Sequence, residues 1–239
     1  MSNHSQTVVL TGVGRVGQVG EFVARRFAEQ KFALALIDRS LDDAEARAVA
    51  LRDAGFRATA YGCDLADATQ VQAAAARVTA ESGSIGALVN IAGGFAMSGD
   101  IADSDPAQWK KQFDINHTTA YLSTRSFLPA LRESRGAVIY FASAAALPGG
   151  TTKGMAAYAA AKGAVVTLMR AVAEQEAMNG VRSNALAPSA IRTADNEKSM
   201  GADAPYVERA DVAEAVLFLC SDAARGVSGQ VIELRRTRR

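Results

Sequence analysis

The sequence predicts an α/β protein built on a doubly wound parallel sheet of about seven strands, with helices on both faces in three layers. Three observations carry this reading. Short, β-branched apolar runs alternate with helix-period stretches along the whole chain, as parallel strands joined by right-handed crossover helices require. No linker-like stretch and no long-period repeat interrupts them, so residues 1–239 read as one domain. Glycines and polar residues gather just after the apolar runs, at 11–20, 38–39, 63–65, 90–95, 143 and 188–193. Doubly wound sheets bind ligands at those carboxyl ends.

The elements follow in order. Thr7–Thr11 is a buried strand, and Glu21–Gln30 has Phe22, Val23, Phe27 and Ala28 on one helical face. Ala33–Asp38 is the second strand, before an Ala-rich charged helix from Asp42 to Ala54. Arg57–Tyr61 is the third strand, and Asp67 caps a helix running to about Ser82. Ile85–Ile91 is the fourth. Asp105-Pro106 then opens a helix to about Arg132, as N-cap plus proline at the first helical position. Gly136–Ala142 is the fifth strand. Met155–Asn179 is a long helix closed by Gly180. Val181–Ala187, a helix over Asp211–Ser221 and a strand over Gln230–Leu234 complete the set.

Composition bounds the function. With 49% hydrophobic residues, 20 glycines and 5 prolines the chain is globular. A net charge of +1 gives no electrostatic basis for a nucleic-acid or membrane partner. The charge is uneven. Four arginines lie within Arg235–Arg239, and without them 26 basic residues become 22 against 25 acidic ones. This basic tail reads as a solvated terminus, with phosphate binding or subunit bridging as the alternative. Cys63 and Cys220 read as reduced core thiols of a cytoplasmic protein. The polar opening Met1–Gln6 lacks an export signal's apolar region, and no stretch approaches the roughly 20 apolar residues of a membrane span. The histidines and cysteines lack metal-ligand spacing, so no catalytic metal is expected. His117 reads as a packed or solvated helix residue, and Trp109 with Phe113, at i and i+4, as packing.

Two constellations carry chemistry. The first is Thr11-Gly12-Val13-Gly14-Arg15-Val16-Gly17-Gln18-Val19-Gly20, between the first strand and the first helix. Glycines there permit a tight turn and close approach to a pyrophosphate, which a helix N-terminus favours, as in the Rossmann arrangement. Asp38 ends the second strand, where an acid binds ribose hydroxyls and repels a 2′-phosphate. This favours NAD, while Arg15 and Arg39 leave NADP open through pairing with a 2′-phosphate. Asp64 ends the third strand, placed either to meet the adenine or to cap a turn. The second constellation is Tyr158 and Lys162, i and i+4 on one helical face. An ammonium near a phenol favours phenolate and is expected to lower the tyrosine pKa from about 10 toward working pH. Such a tyrosine can exchange the proton of a carbinol.

The ordered set TGxGxxGxxG, Asp38, Cys63-Asp64-Leu65, Val89-Asn90-Ile91-Ala92-Gly93, Asn116, Ser143, Tyr158-x-x-x-Lys162 and Asn184-Ala185-x-x-Pro188 resembles the short-chain dehydrogenase/reductase family over nearly the whole chain. The resemblance implies reversible hydride transfer between NAD(P) and a small carbonyl/alcohol substrate. It implies a tetrad in which Ser143 binds the substrate oxygen and Tyr158 is the acid/base. Lys162 holds the nicotinamide ribose and tunes Tyr158, and Asn116 holds a water. Gly12, Gly14, Arg15, Val16, Gly17, Val19, Asp38, Arg39, Asp64, Leu65, Asn90, Ala92 and Gly93 would line the dinucleotide, with Tyr158 and Lys162. Pro188, Ser189, Ile191 and Thr193 would contact the nicotinamide side. Gly94, Phe95, Met97, Leu147 and Met155, with Ser143 and Tyr158, would line the substrate. A homotetramer or homodimer on the Trp109–Arg132 and Met155–Asn179 helices is also implied.

The chain departs from the family pattern in places. Gly12 to Gly20 spans two residues more than TGxxxGxG, and Ser143 to Tyr158 also two more. Ile91 and Ser189 replace a frequent asparagine and glycine, and the terminus lacks an acid-Gly-Gly. Ala144–Leu147, Gly154-Met155-x-x-Tyr158 and Pro188-Ser189-x-Ile191-x-Thr193 are also similar to dihydropteridine reductases, which makes reduction of a conjugated ring the alternative. Only 22 residues separate Pro188 from Asp211, too few for a long lid, so an open site is expected. The rival outside enzymes is a nucleotide-binding sensor or scaffold.

Overall fold

The computed structural model describes residues 6–236. Residues 1–5 and 237–239 lie outside that range, so of the arginine tail only Arg235 and Arg236 are described. The strands are β1 (Gln6–Thr11), β2 (Ala33–Asp38), β3 (Ala58–Gly62), β4 (Ser84–Asn90), β5 (Ala137–Phe141), β6 (Arg182–Pro188) and β7 (Val231–Leu234). The helices are α1 (Val19–Glu29), α2 (Leu41–Asp53), α3 (Ala68–Ser82), α4 (Pro106–Phe113), α5 (Thr119–Ser134), α6 (Ala156–Gln175), α7 (Ala194–Met200) and α8 (Arg209–Cys220). All seven strands are parallel, in the order β3-β2-β1-β4-β5-β6-β7. The order reverses between β1 and β4, which opens a crevice at their carboxyl ends.

Alternation along the strands builds two cores. Val8 and Leu10 of β1 face one side, with Val23 and Phe27 of α1, Ala44 and Ala48 of α2 and Val216 of α8. Val9 faces the other, with Val71 and Val78 of α3, Phe127 and Leu131 of α5 and Val165 and Met169 of α6. Sheets covered on both faces need strands that are apolar throughout, and β5, Ala137–Phe141, is buried at every position. Local chemistry sets the ends. Ser40, Asp67 and Asp105 accept N-cap hydrogen bonds for α2, α3 and α4. Contrary to the sequence expectation, α6 is long and apolar enough to cross a membrane by length and composition, but half of it is buried against this sheet. Its apolarity follows from that packing.

Three features differ from the elements read from sequence. The helix expected over Met155–Asn179 ends at Gln175 and is followed by a 3-10 turn over Ala177–Asn179. The helix expected from Pro106 to about Arg132 is interrupted by a π-helical turn, Asp114–Thr118, before α5 continues. A short helix, α7, follows β6 where the sequence shows no apolar period.

Candidate functional site

The loop after β1 is built by contacts that only glycine allows. Gly12 has φ +73°, and its amide donates to the Ile37 carbonyl at 2.9 Å. A side chain there would start 2.6 Å from the Ala92 backbone. A side chain on Gly20 would start 2.5 Å from the Gly12 carbonyl oxygen. The Thr11 hydroxyl accepts from the Ile91 and Ala92 amides at 3.1 and 3.2 Å, stapling the ends of β1 and β4 at the switch point. Further along, the Gly17 amide donates to Glu21 at 2.7 Å, and its carbonyl accepts from Arg209 at 2.7 Å and from the Ala194 amide at 3.3 Å. The result is a narrow backbone cradle at the start of α1, which fits a dinucleotide pyrophosphate.

Asp38 is clamped. One carboxylate oxygen accepts from the Gly14 amide at 2.9 Å and the other from the Ser40 amide at 3.2 Å. Arg39 is exposed beside it. Arg15 pairs with Asp195 at 2.7 Å on the surface. Asp64 caps its own turn, accepting from the Ala66 amide at 3.0 Å, which favours the turn role among its two sequence readings.

Asn116 sits in the π-helical turn, buried, and stitches that turn to the segment after β4. Its Nδ2 donates to the Gly94 and Gln112 carbonyls at 2.9 and 3.0 Å, and its Oδ1 accepts from the Gly94 amide at 3.1 Å. A side chain on Gly93 would meet Asn116 Oδ1 at 2.6 Å and Lys162 Nζ at 3.3 Å. Asn90 donates to Thr124 at 3.3 Å, part of a buried chain that continues to Tyr140.

Ser143, Tyr158 and Lys162 come together as expected. The segment between Ser143 and Tyr158 holds a tight turn at Ala144–Ala146 and three glycines, Gly149, Gly150 and Gly154. Tyr158 is half-buried, with the exposed Phe95 ring edge-on to it at 5.1 Å. The expected lowering of the Tyr158 pKa is not what the environment produces. Burial raises it above its ordinary value, and hydrogen bonding to Ser143 offsets only part of that. Lys162 Nζ is buried, donates to the Phe141 carbonyl at 2.7 Å and lies 5.9 Å from the Tyr158 ring centre. Burial pulls its own pKa down to about 8.

Tyr158, Lys162 and Phe95 line a cavity of about 500 Å³ that also takes in Arg15, Gln18, Gly93, Gly94, Asn116, Pro188, Ser189, Ile191 and Thr193, while Ser143 is not among its lining residues. Other expected residues lie elsewhere. Val19 packs into one core and Leu65, 6% exposed, into the other, because their helix and loop turn them toward the sheet. Val16 is exposed. Leu147 packs on the second core, and Met97 folds against Gly154, so these two and Met155 do not line the cavity. Conversely, Gln18, Asp195, Asn196 and Ser199 line it without having been named as site residues. The available signal was Thr193 as an N-cap, whose hydroxyl accepts from the Asn196 amide at 3.2 Å. His117 has its pKa lowered by burial, and Trp109 stacks on Phe113 at 6.1 Å, in keeping with packing roles.

Comparison with known proteins agrees with this geometry. Residues 12–234 match the family model described as enoyl-(acyl carrier protein) reductase. The 2-(S)-hydroxypropyl-CoM dehydrogenase 3 of Xanthobacter autotrophicus is 34% identical, over 96% of this chain and 95% of its own. A short-chain dehydrogenase/reductase structure from Burkholderia xenovorans superposes with a TM-score of 0.87 at 31% identity, over 98% and 97% of the two chains. A structure described as an NAD(P)-dependent gluconate 5-dehydrogenase of Beutenbergia cavernae, with NADP bound at low occupancy, gives 0.86 at 31% over 95% and 94%. Fold and site together define an NAD(P)-dependent oxidoreductase acting on alcohols and carbonyls. The chain belongs to the short-chain dehydrogenase/reductase family.

Proposed function

We propose that the protein interconverts a small alcohol and its carbonyl with NAD(H), and that Tyr158 moves the hydroxyl proton. The observation that carries this is the convergence of Tyr158, Ser143 and Lys162 beside the cavity that the post-β6 segment closes on its other side. Bound nicotinamide supplies the hydride acceptor or donor. The chain's own residues do the rest. Ser143 holds the substrate oxygen and donates to it. Tyr158 takes the hydroxyl proton in oxidation and returns it in reduction. Burial holds its pKa above the ordinary value, which favours the protonated form that reduction needs. Lys162 presents its buried ammonium to the ribose, and Asn116 fixes the Gly93–Gly94 backbone on which the cofactor lies. Gly94 and Phe95 meet the substrate.

The preference for NAD rests on Asp38, which the Gly14 and Ser40 amides hold facing the loop. Arg15 is engaged by Asp195 rather than turned toward Asp38. The relatives named above act on alcohols, in keeping with a carbonyl/alcohol substrate rather than a conjugated ring.

A panel of secondary alcohols and ketones with NAD+ or NADH tests the reading. Turnover is expected in the wild type, with a loss on the order of 10²–10⁴-fold in Ser143→Ala. Firm NADH binding with no turnover of any pair would contradict it and support the scaffold role.

A further inference from the structure

Two acids, not one, border the dinucleotide loop at Gly14. If a side chain were built on buried Gly14, its first carbon would lie 2.9 Å from Asp43 Cβ and 3.0 Å from Asp38 Cγ. Asp38 and Asp43 therefore flank one point of the backbone. They come from different elements, the end of β2 and the first turn of α2. Their situations differ. Both Asp38 oxygens hold backbone amides. The Asp43 carboxylate, among the described residues, has no hydrogen bond or ion pair. It is the Asp43 amide, not its side chain, that donates to the Ser40 cap at 3.2 Å. The N-terminus of a helix is ordinarily a place that attracts phosphate. Here Asp42 and Asp43 put negative charge on that turn, and the exposed Arg39 is the nearby cation in sequence.

We propose that Asp43 is a second cofactor-specificity residue, whose unpaired carboxylate repels a 2′-phosphate and offsets Arg39. This deepens the NAD reading above and rests on it. A ribose read by Asp38 beside Gly14 would carry its 2′ substituent close to Asp43, whose Cβ borders the same glycine. A 2′-hydroxyl is neutral there, whereas a 2′-phosphate meets two carboxylates at once. Arg39 alone would favour the phosphate. With Asp38 and Asp43 present, the balance falls to NAD.

The test is fluorescence titration of NADH and NADPH into the wild type, Asp43→Asn and Asp42→Asn, at low and physiological salt. Because the helix cap uses the Asp43 amide, Asp43→Asn leaves the cap in place. We expect Asp43→Asn to tighten NADPH binding about tenfold and to leave NADH within about twofold, with Asp42→Asn near the wild type. The wild type's discrimination should also shrink as salt screens the repulsion, and shrink less in Asp43→Asn. An unchanged NADPH-to-NADH ratio in Asp43→Asn, with the wild type still preferring NADH, overturns the role of Asp43 and leaves the NAD reading standing. An equal gain from Asp42→Asn overturns the assignment to Asp43. A wild type that binds NADPH more tightly than NADH overturns both.

Discussion

At the scale of single residues, Lys162 shows how burial turns an ordinary side chain into a tuned one. Its pKa is held down to about 8 by burial, against about 10.4 for a free lysine. Between those values the unfolded chain binds more protons than the folded one, so this residue makes stability rise with pH from about 8 to 10. Below pH 8 the folded protein carries a buried ammonium, a cost of a few kcal/mol (order of magnitude, about 1.4 kcal/mol per pKa unit) that the bond to Phe141 offsets in part. Lys162→Met, without dinucleotide, is expected to stabilise the protein at pH 7 by on the order of 1–3 kcal/mol and to lose that advantage by about pH 10. Urea unfolding at both pH values checks this, and an equal effect at both would remove burial of charge as its cause. The pairing of Tyr158 with Lys162 was legible in the sequence as an i, i+4 spacing. The direction of the Tyr158 shift was not, because it depends on how deeply the folded chain buries the phenol and on its hydrogen bond to Ser143. Asp38 was equally legible, as an acid ending a strand. Its two amide clamps were not, since they depend on where Gly14 lands after the loop folds.

At the scale of elements, strands and helices with a clear apolar period were legible to within a residue or two, except that the helix expected to reach Asn179 ends at Gln175. The other two departures share a cause. The π-helical turn at Asp114–Thr118 is fixed by Asn116 bonding Gly94, 22 positions away, and no local pattern encodes it. Helix α7 has seven residues and no buried position, so it leaves no hydrophobic trace. It is held by tertiary contacts through Arg192, which pairs with Glu208 at 2.8 Å and Glu197 at 2.9 Å, donates to the Ala202 carbonyl at 3.1 Å and lies over the Tyr206 ring at 4.9 Å. Arg192→Ala should therefore loosen α7 without melting the sheet. Hydrogen exchange is expected to speed up across 194–207 while the β1 and β4 amides keep their protection. Uniform deprotection of the whole chain would show instead that Arg192 supports the global fold. Because Asp195, Asn196 and Ser199 line the cavity, the same variant should raise KM more than it lowers kcat.

At the scale of the whole molecule, the sheet order assembles the site. Residues from β1, β4, β5 and β6 and the start of α6 meet only because β1 and β4 are neighbours and every strand points the same way. The order of motifs along the chain made that convergence legible. The lining of the substrate side was less so: Met97 and Leu147 are apolar and near the motifs in sequence, but one covers Gly154 and the other joins a core. The central claim is that this assembled crevice uses the Tyr158 hydroxyl for proton transfer. Replacing it by Tyr158→Phe removes one oxygen and keeps the ring against Phe95. The decisive measurement is kcat/KM of that variant, with NADH affinity titrated alongside. The account predicts a fall of at least about 10³-fold in kcat/KM, in the range that a lost acid/base group produces, with NADH binding within about twofold of the wild type. Turnover within about tenfold of the wild type would contradict it and place proton transfer on another group.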